Sequence, residues 1–332
     1  MPKLAVLLLA HGTPETVEQI PEYLRNVVSG RPLPEHVIEE IKHRYALIGR
    51  SPLTEITLEQ GRLVEAELVM EGMDAQVYVG MRNWKPYIPD VVRKMRADGV
   101  EAAAVICLAP QNSRTSVGLY KRAVQAEAGS LNIDFTEGWA LDPLLAEAFA
   151  ERLRAAEARL QDEMGAAPVP VLFTAHSVPT RTVQPPDVSE GQNAGPRLWP
   201  GEGADPYAQE ARQTAELVAE RVPEIPKWWF AFQSQGASGG PWIGPTVEET
   251  LTAIAAEGVK TLLLQPIGFL CDHVEILYDV DIAFKEYASK LGIRLERPES
   301  LNASPTLARA IAGLAKHGLN RLQGYAIPDR LN

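Results

Sequence analysis

The chain has 332 residues and a formal net charge of −11, with 45% hydrophobic and 23% charged residues. A pI near 5.2 excludes nucleic acid and anionic membrane as main partners, because both need basic surfaces. The length exceeds what one small core organises, so two units of about 150 residues are expected, each able to bury a core without metal or disulfide staples.

Residues Leu4–Ala10 form a continuous apolar run, as in a strand covered on both faces. The first ten residues superficially resemble a leader. The apolar run is short, however, and enters His11-Gly12-Thr13-Pro14 without a small-x-small cleavage site, so a first strand is expected. Thr13 is expected to cap a helix with Pro14 in its first turn, and residues 16–28 alternate helically. Further helices are expected over Glu35–Ile48 and residues 58–70, then a strand over 76–79. A helix over Ile88–Ala97 and a strand over 102–108 follow. Residues 110–116 read as a polar loop, Val117–Ala128 as helix, 133–137 as strand and 144–164 as a long helix. The second half repeats the scheme: strand 169–174, helix 208–222, strand Trp228–Gln233, helix 246–256, strand 261–265, helix 274–291, strand 294–297 and helix 305–317. Residues 184–204 form a long Pro/Gly-rich loop, which suits either a functional loop or a surface insertion. No run of about 20 apolar residues exists, so no membrane span is expected.

The β-α alternation implies α/β lobes with parallel sheets. Ala10-His11-Gly12-Thr13-Pro14 is echoed by Ala175-His176-Ser177-Val178-Pro179, 165 residues later. Asp98-Gly99-Val100-Glu101 is echoed by Glu257-Gly258-Val259-Lys260 at an offset of 159. Two echoes in the same order imply a duplication. The expected object is two similar doubly wound, Rossmann-like lobes facing a central cleft: residues 1–150, residues 151–320, and a tail over 321–332.

His176 follows an apolar strand, at the edge of an open α/β sheet where ligands bind. A structural histidine would also fit there. The stretch Gly268-Phe269-Leu270-Cys271-Asp272-His273-Val274-Glu275 follows another strand end. Asp272 and Glu275 there could simply cap a helix and complement its dipole. Alternatively Glu275 faces His176 across the cleft, and imidazole plus carboxylate suits a divalent metal or proton transfer. Asp279 lies four residues after Glu275, on the same helix face: a solvated acidic face or a path for a hydrated cation. Nucleotide-binding and serine-nucleophile patterns are absent. Trp242, after the glycine-rich residues 236–240, suits either core packing or a wall for a flat aromatic ligand. Cys107 and Cys271 alone cannot make a four-thiolate iron–sulfur or zinc site. Both lie in apolar runs, so free thiols in a reducing cytoplasm are expected.

Together these blocks resemble the ferrochelatases, which insert Fe²⁺ into a porphyrin. The resemblance covers nearly the whole chain. It rests on Leu9-Ala10-His11-Gly12-Thr13-Pro14, Ser51-Pro52-Leu53, Leu108-Ala109-Pro110, Ala175-His176-Ser177-Val178-Pro179, Asp205-Pro206-Tyr207, Gln233-Ser234 and Trp242-Ile243-Gly244-Pro245. It also rests on Pro266-Ile267-Gly268-Phe269, Asp272-His273, Glu275, Leu277-Tyr278-Asp279 and Asp281. The resemblance implies chelatase-type lobes, His176 and Glu275 as the catalytic pair, and Arg31, Arg44, Ser51, Gln60 and Tyr120 around the porphyrin, to which the aromatic-wall reading adds Trp242. His11 and Asp279 join His176 and Glu275 as residues that meet the metal. The implied partners are a porphyrin and ferrous iron, with no cofactor beyond that iron, no iron–sulfur cluster, a monomeric state and a cytoplasmic location. The short coproporphyrin III enzymes are the nearest type. Coproporphyrin III is therefore the favoured substrate and protoporphyrin IX the second. A non-catalytic porphyrin or heme carrier, or a chelatase for another metal or tetrapyrrole, is the competing expectation. His11 stands where those relatives carry a tyrosine, Gln111 where they carry a histidine, and Ala283 where they carry a third acidic residue. The segment 184–204 is longer than theirs.

Overall fold

A computed structural model describes residues 2–165, 168–183, 205–235 and 241–324. The long loop 184–204, the glycine-rich 236–240 and most of the expected tail lie outside the described residues.

The first half runs β1 (Leu4–Ala10), α1 (Ile20–Val27), α2 (Glu35–Ile48), α3 (Leu53–Met70), β2 (Gln76–Met81), α4 (Ile88–Ala97), β3 (Ala102–Cys107), α5 (Val117–Ala128), β4 (Asn132–Thr136) and α6 (Pro143–Met164). The second runs β5 (Val171–His176), α7 (Thr180–Val183), α8 (Tyr207–Arg221), β6 (Trp228–Gln233), α9 (Val247–Ala256), β7 (Thr261–Pro266), α10 (Val274–Leu277), α11 (Lys285–Lys290), β8 (Arg294–Glu296) and α12 (Pro305–Leu322). Each half forms a four-stranded parallel sheet, in the orders β2-β1-β3-β4 and β6-β5-β7-β8. The two topologies are identical, as the sequence echoes imply. Gly99 and Gly258 close the equivalent helices α4 and α9, both at positive φ (79° and 84°), where a side chain would be strained.

The central strands have the period of two that their apolar runs require. In β1, Val6, Leu8 and Ala10 face one core while Ala5, Leu7 and Leu9 face another. In β5, Val171, Phe173 and Ala175 join the same large core as Val6, and Leu172 joins a third. Side chains from both halves therefore share one continuous core. Helix α12 packs against β3, β4 and α3 of the first sheet, while α6 packs against α8 of the second half. Each half contributes a helix to the other.

Two expected local features differ. Thr13 caps no helix: its hydroxyl donates to Ser51 Oγ at 3.0 Å, and the chain stays irregular until a 3-10 turn at Val17–Gln19. The expected helix 274–291 is broken. A π-helical stretch, Asp279–Phe284, separates α10 from α11, with Ala283 N bonded to Tyr278 O at 3.0 Å.

Candidate active site

In both sheets the chain leaves the central strand to one side and returns on the other. That makes a crevice beyond the carboxyl ends of β1 and β3, and another beyond β5 and β7, where ligands bind in such folds. The two crevices face one cavity of about 340 Å³. Its lining comes from the four loops at these edges: His11 and Thr13 after β1, Gln111 and Ser113 after β3, His176–Pro179 at β5, and residues 268–271 and 273–275 after β7. Tyr23, Leu53, Gln60, Arg82, Tyr120, Tyr207 and Trp242 also line it.

His176 is the last residue of β5. Its carbonyl accepts from Tyr207 Oη at 2.8 Å, and its Nδ1–H donates to the Ser177 carbonyl. The ring thereby turns Nε2 toward Glu275, 3.4 Å from Oε1. The other carboxylate oxygen faces His273 Nε2 at 3.5 Å, and His273 Nδ1–H donates to the Cys271 carbonyl at 3.0 Å. Glu275 thus sits between two imidazoles whose tautomers are set by backbone carbonyls. Its main-chain carbonyl accepts from the buried Gln233 amide at 3.1 Å. Burial acts to raise the Glu275 pKa, but His176 and His273 outweigh it and hold the carboxyl well below its ordinary value. Burial acts to lower His176, and Glu275 outweighs that, so the imidazole is raised. The Phe269 ring centroid lies 6.2 Å from that of His176 and 4.6 Å from that of His273. Trp242 stands 6.4 Å from His176 as a second aromatic wall.

His11 enters from the other lobe. Its Nε2 pairs with Tyr23 Oη at 2.8 Å, and the Asn83 amide, 3.2 Å away, donates to the ring. Burial, helped by the Arg82 guanidinium, lowers its pKa from 6.5 to about 3. The cavity therefore presents an imidazole of raised pKa on one lobe and one of lowered pKa on the other.

The acidic row is bent by the π-helical stretch. Asp279 is 7% exposed, accepts from Ser234 Oγ, and meets Arg44 Nη1 at 3.4 Å. Burial pushes its carboxyl up to about 6. Asp281 turns away to Arg297, 2.8 Å distant. Asp279 does not line the cavity. Among the described residues, no three His, Cys, Asp or Glu side chains converge closely enough to enclose a metal ion. His176, Glu275, His11 and Asp279 share a region, not one coordination sphere. A closed shell would hold a cation that has to be passed on.

Of the residues expected around a porphyrin, Gln60, Tyr120 and Trp242 line the cavity, whereas Arg31, Arg44 and Ser51 do not. Arg31 is exposed and donates to Val28 O at 3.0 Å. Arg44 lies over the Tyr278 ring, 5.0 Å from its centroid, on the Asp279 side. Ser51 is buried against Thr13. Gln111, in place of a histidine, ties the lobes together: its amide donates to Thr214 Oγ1 at 3.1 Å and Ile267 O at 3.2 Å. Sequence reasoning left Tyr23, Asn83, Arg82 and the role of His273 unassigned. The strand-end rule applied to β2 would have found Arg82 and Asn83. Nothing local marks Tyr23.

The ferrochelatase family profile matches residues 3–319. The chain is 61% identical to a ferrochelatase of Acidobacterium capsulatum over 328 residues, covering 98% of both chains. It is 32% identical over 317 residues to a coproporphyrin III ferrochelatase of Geobacillus sp. strain WCH70, covering 93% of this chain and 96% of that one. Its fold matches the sirohydrochlorin chelatase SirB from Bacillus subtilis subspecies spizizenii in complex with cobalt, with a TM-score of 0.56 at 11% identity, over 97% of this chain and 98% of that one. A duplicated two-lobed fold with facing strand-end histidines, matched along nearly its full length by such sequences, has one reading: the chain belongs to the ferrochelatase family, lyases that form metal–nitrogen bonds by inserting iron into a porphyrin.

Proposed function

We propose that this chain inserts Fe²⁺ into coproporphyrin III, with His176 and Glu275 as the catalytic pair. The observation that carries the catalytic assignment is the His176 Nε2–Glu275 Oε1 contact of 3.4 Å on the wall of the cavity between the lobes. Insertion strips water from the cation, bends the macrocycle and removes two pyrrole protons. Trp242, Phe269 and Leu53 supply flat apolar walls, so binding energy at the macrocycle faces can favour the bent form. Tyr120, Thr13 and Ser113 supply polar groups for its rim. His176 takes a pyrrole proton only in its neutral form, which Glu275 disfavours. A proton held by the pair has an exit through Asp279, whose carboxyl, near 6, exchanges protons around neutral pH one turn beyond Glu275.

Two features support coproporphyrin III. Relatives named for that substrate match along 93% of this chain. Within segment 17–48, Ile20, Tyr23, Leu24 and Tyr45 are turned inward into their own cluster with Trp84, and Leu47 is the large apolar side chain left exposed, at 51%. The segment therefore offers no broad apolar lip, and a macrocycle with four carboxylates needs none. The test is anaerobic mixing of the protein with Fe²⁺ and each porphyrin, following free-porphyrin fluorescence. Catalytic loss with coproporphyrin III, much slower loss with protoporphyrin IX, and loss of turnover in His176→Ala are expected. Stoichiometric quenching without turnover would make the chain a carrier.

A further inference from the structure

The segment that bears His273, Glu275 and Asp279 is fastened at both ends by one side chain from elsewhere in the chain. Arg297 follows β8 and its side chain is only 12% exposed. Its Nε donates to Asp281 Oδ1 at 2.9 Å and its Nη2 to Asp281 Oδ2 at 2.8 Å, a fork-to-fork pair. Its Nη1 reaches Asp272 Oδ1 at 3.3 Å and Ser300 Oγ at 3.1 Å. Asp272 opens the catalytic segment; Asp281 sits in the π-helical stretch that ends it.

The loop that follows Arg297 reinforces the first anchor. Asn302 Nδ2 donates to Asp272 Oδ2 at 2.9 Å, and Asn302 Oδ1 accepts from Asp272 N at 2.9 Å. Ser300 Oγ donates to Asp272 Oδ1 at 2.6 Å. Asn302 holds a φ of +46°, a conformation that asparagine tolerates better than most residues. Its carbonyl accepts from Gln60 Nε2 at 2.8 Å, across to α3 of the other lobe. The Asp272 carboxylate is thus held by three side chains, Ser300, Arg297 and Asn302.

We infer that Arg297 is a positioning residue for the reaction: a buried fork that holds Asp272 and Asp281 and thereby sets where Glu275 presents its carboxylate to His176. The π-helical stretch makes such a fastening necessary. Its wide turn bends the acidic row, and without an anchor on each side the row has no fixed aim. A lysine cannot replace the fork, because a single ammonium cannot bond Asp281 bidentately and still reach Asp272. This rests on the proposed reaction, and the effect lies on the catalytic step, not on porphyrin binding.

The test compares wild type with Arg297→Lys, Arg297→Ala and Arg297→Met in the full chain. Folding is followed by circular dichroism, porphyrin binding by fluorescence, and Fe²⁺ insertion by kcat and KM. Porphyrin affinity stays at the wild-type level and kcat falls about 100-fold, as for a small misplacement of reacting groups. Guanidinium ion added to Arg297→Ala restores part of the rate, whereas methylammonium does not. The methionine variant keeps the volume and removes the charge, so it separates folding from aim. A folded Arg297→Met enzyme with wild-type kcat and pH profile would overturn the inference, as would activity loss that only tracks loss of folded protein. If wild type itself does not turn over, the proposed reaction fails instead.

Discussion

At the scale of single residues, the balance between burial and one carboxylate decides the state of His176. Burial alone would push its pKa below 6.5; Glu275 reverses the sign. The raised imidazole contributes stability that is full below pH 6.5 and is lost as pH rises through its folded value. The lowered Glu275 contributes stability that is full above pH 4.5 and is lost as pH falls through its folded value. The pair therefore contributes most between 4.5 and 6.5. In Glu275→Gln burial is opposed only by the Ser177 carbonyl and Asp279, so the His176 pKa falls from its wild-type value, and NMR titration of the imidazole reads this directly. Turnover falls about 100-fold or more, as for loss of a general acid–base partner. An unchanged His176 titration would mean that Glu275 does not set its charge. His176 and Glu275 were legible in the sequence because a strand-end rule and a dense motif converge on them. Arg297, Tyr23 and Asn83 were not. Their partners, such as Asp272 for Arg297 and His11 for the other two, are brought to them by the fold, and no local pattern marks the pairing.

At the scale of elements, continuous apolar runs made the strands legible to within two residues. Strands Leu4–Ala10 and Trp228–Gln233 and helix Ile88–Ala97 match their expected bounds, whereas β5, expected over 169–174, runs Val171–His176 and takes in the histidine expected just after it. Periodicity failed at residues 274–291. Apolar spacing cannot distinguish α from π hydrogen bonding, and Val280 and Phe284 are buried in either case. The consequence is chemical as well as geometric, because the π turn buries Asp279 instead of leaving it on a solvated face. Burial raises its carboxyl from 3.8 to about 6, against the Ser234 hydroxyl bond and the Arg44 charge. The folded protein then holds this proton to higher pH than the unfolded chain does. Stability falls as pH rises from 3.8 through 6. Asp279→Asn removes that slope, so its thermal midpoint changes less with pH across this window and lies above wild type beyond pH 6. A variant less stable than wild type above pH 6 would show that the Arg44 contact, not burial, dominates Asp279.

At the scale of the molecule, the echoes at His11 and His176 disclosed the duplication but not the helix exchange that welds the copies. Helix α12 lies at the end of the chain yet covers the sheet made at its beginning. Gly318 permits the approach: a Cβ there would stand 2.8 Å from Ala104 Cβ and 3.0 Å from Asp134 Oδ1. Arg321 then pairs with Asp134 through Nε–H donated to Oδ2 at 2.6 Å. Leu307, Ile311 and Leu319 of this helix are completely buried in the core that both halves share, each worth about 1.5–3 kcal/mol. Their sum rivals the whole stability of a typical domain, about 5–15 kcal/mol. A fragment ending at residue 165 keeps the first sheet but lacks α12, and the complementary fragment from residue 166 lacks α6. Neither should fold alone; both should show weak near-UV circular dichroism and no cooperative unfolding. Co-expressed, the two fragments should recombine through the shared core and recover iron insertion, because the break falls between α6 and β5, away from the cavity. Cooperative unfolding of the isolated first fragment would show that its sheet needs no cover from the other half.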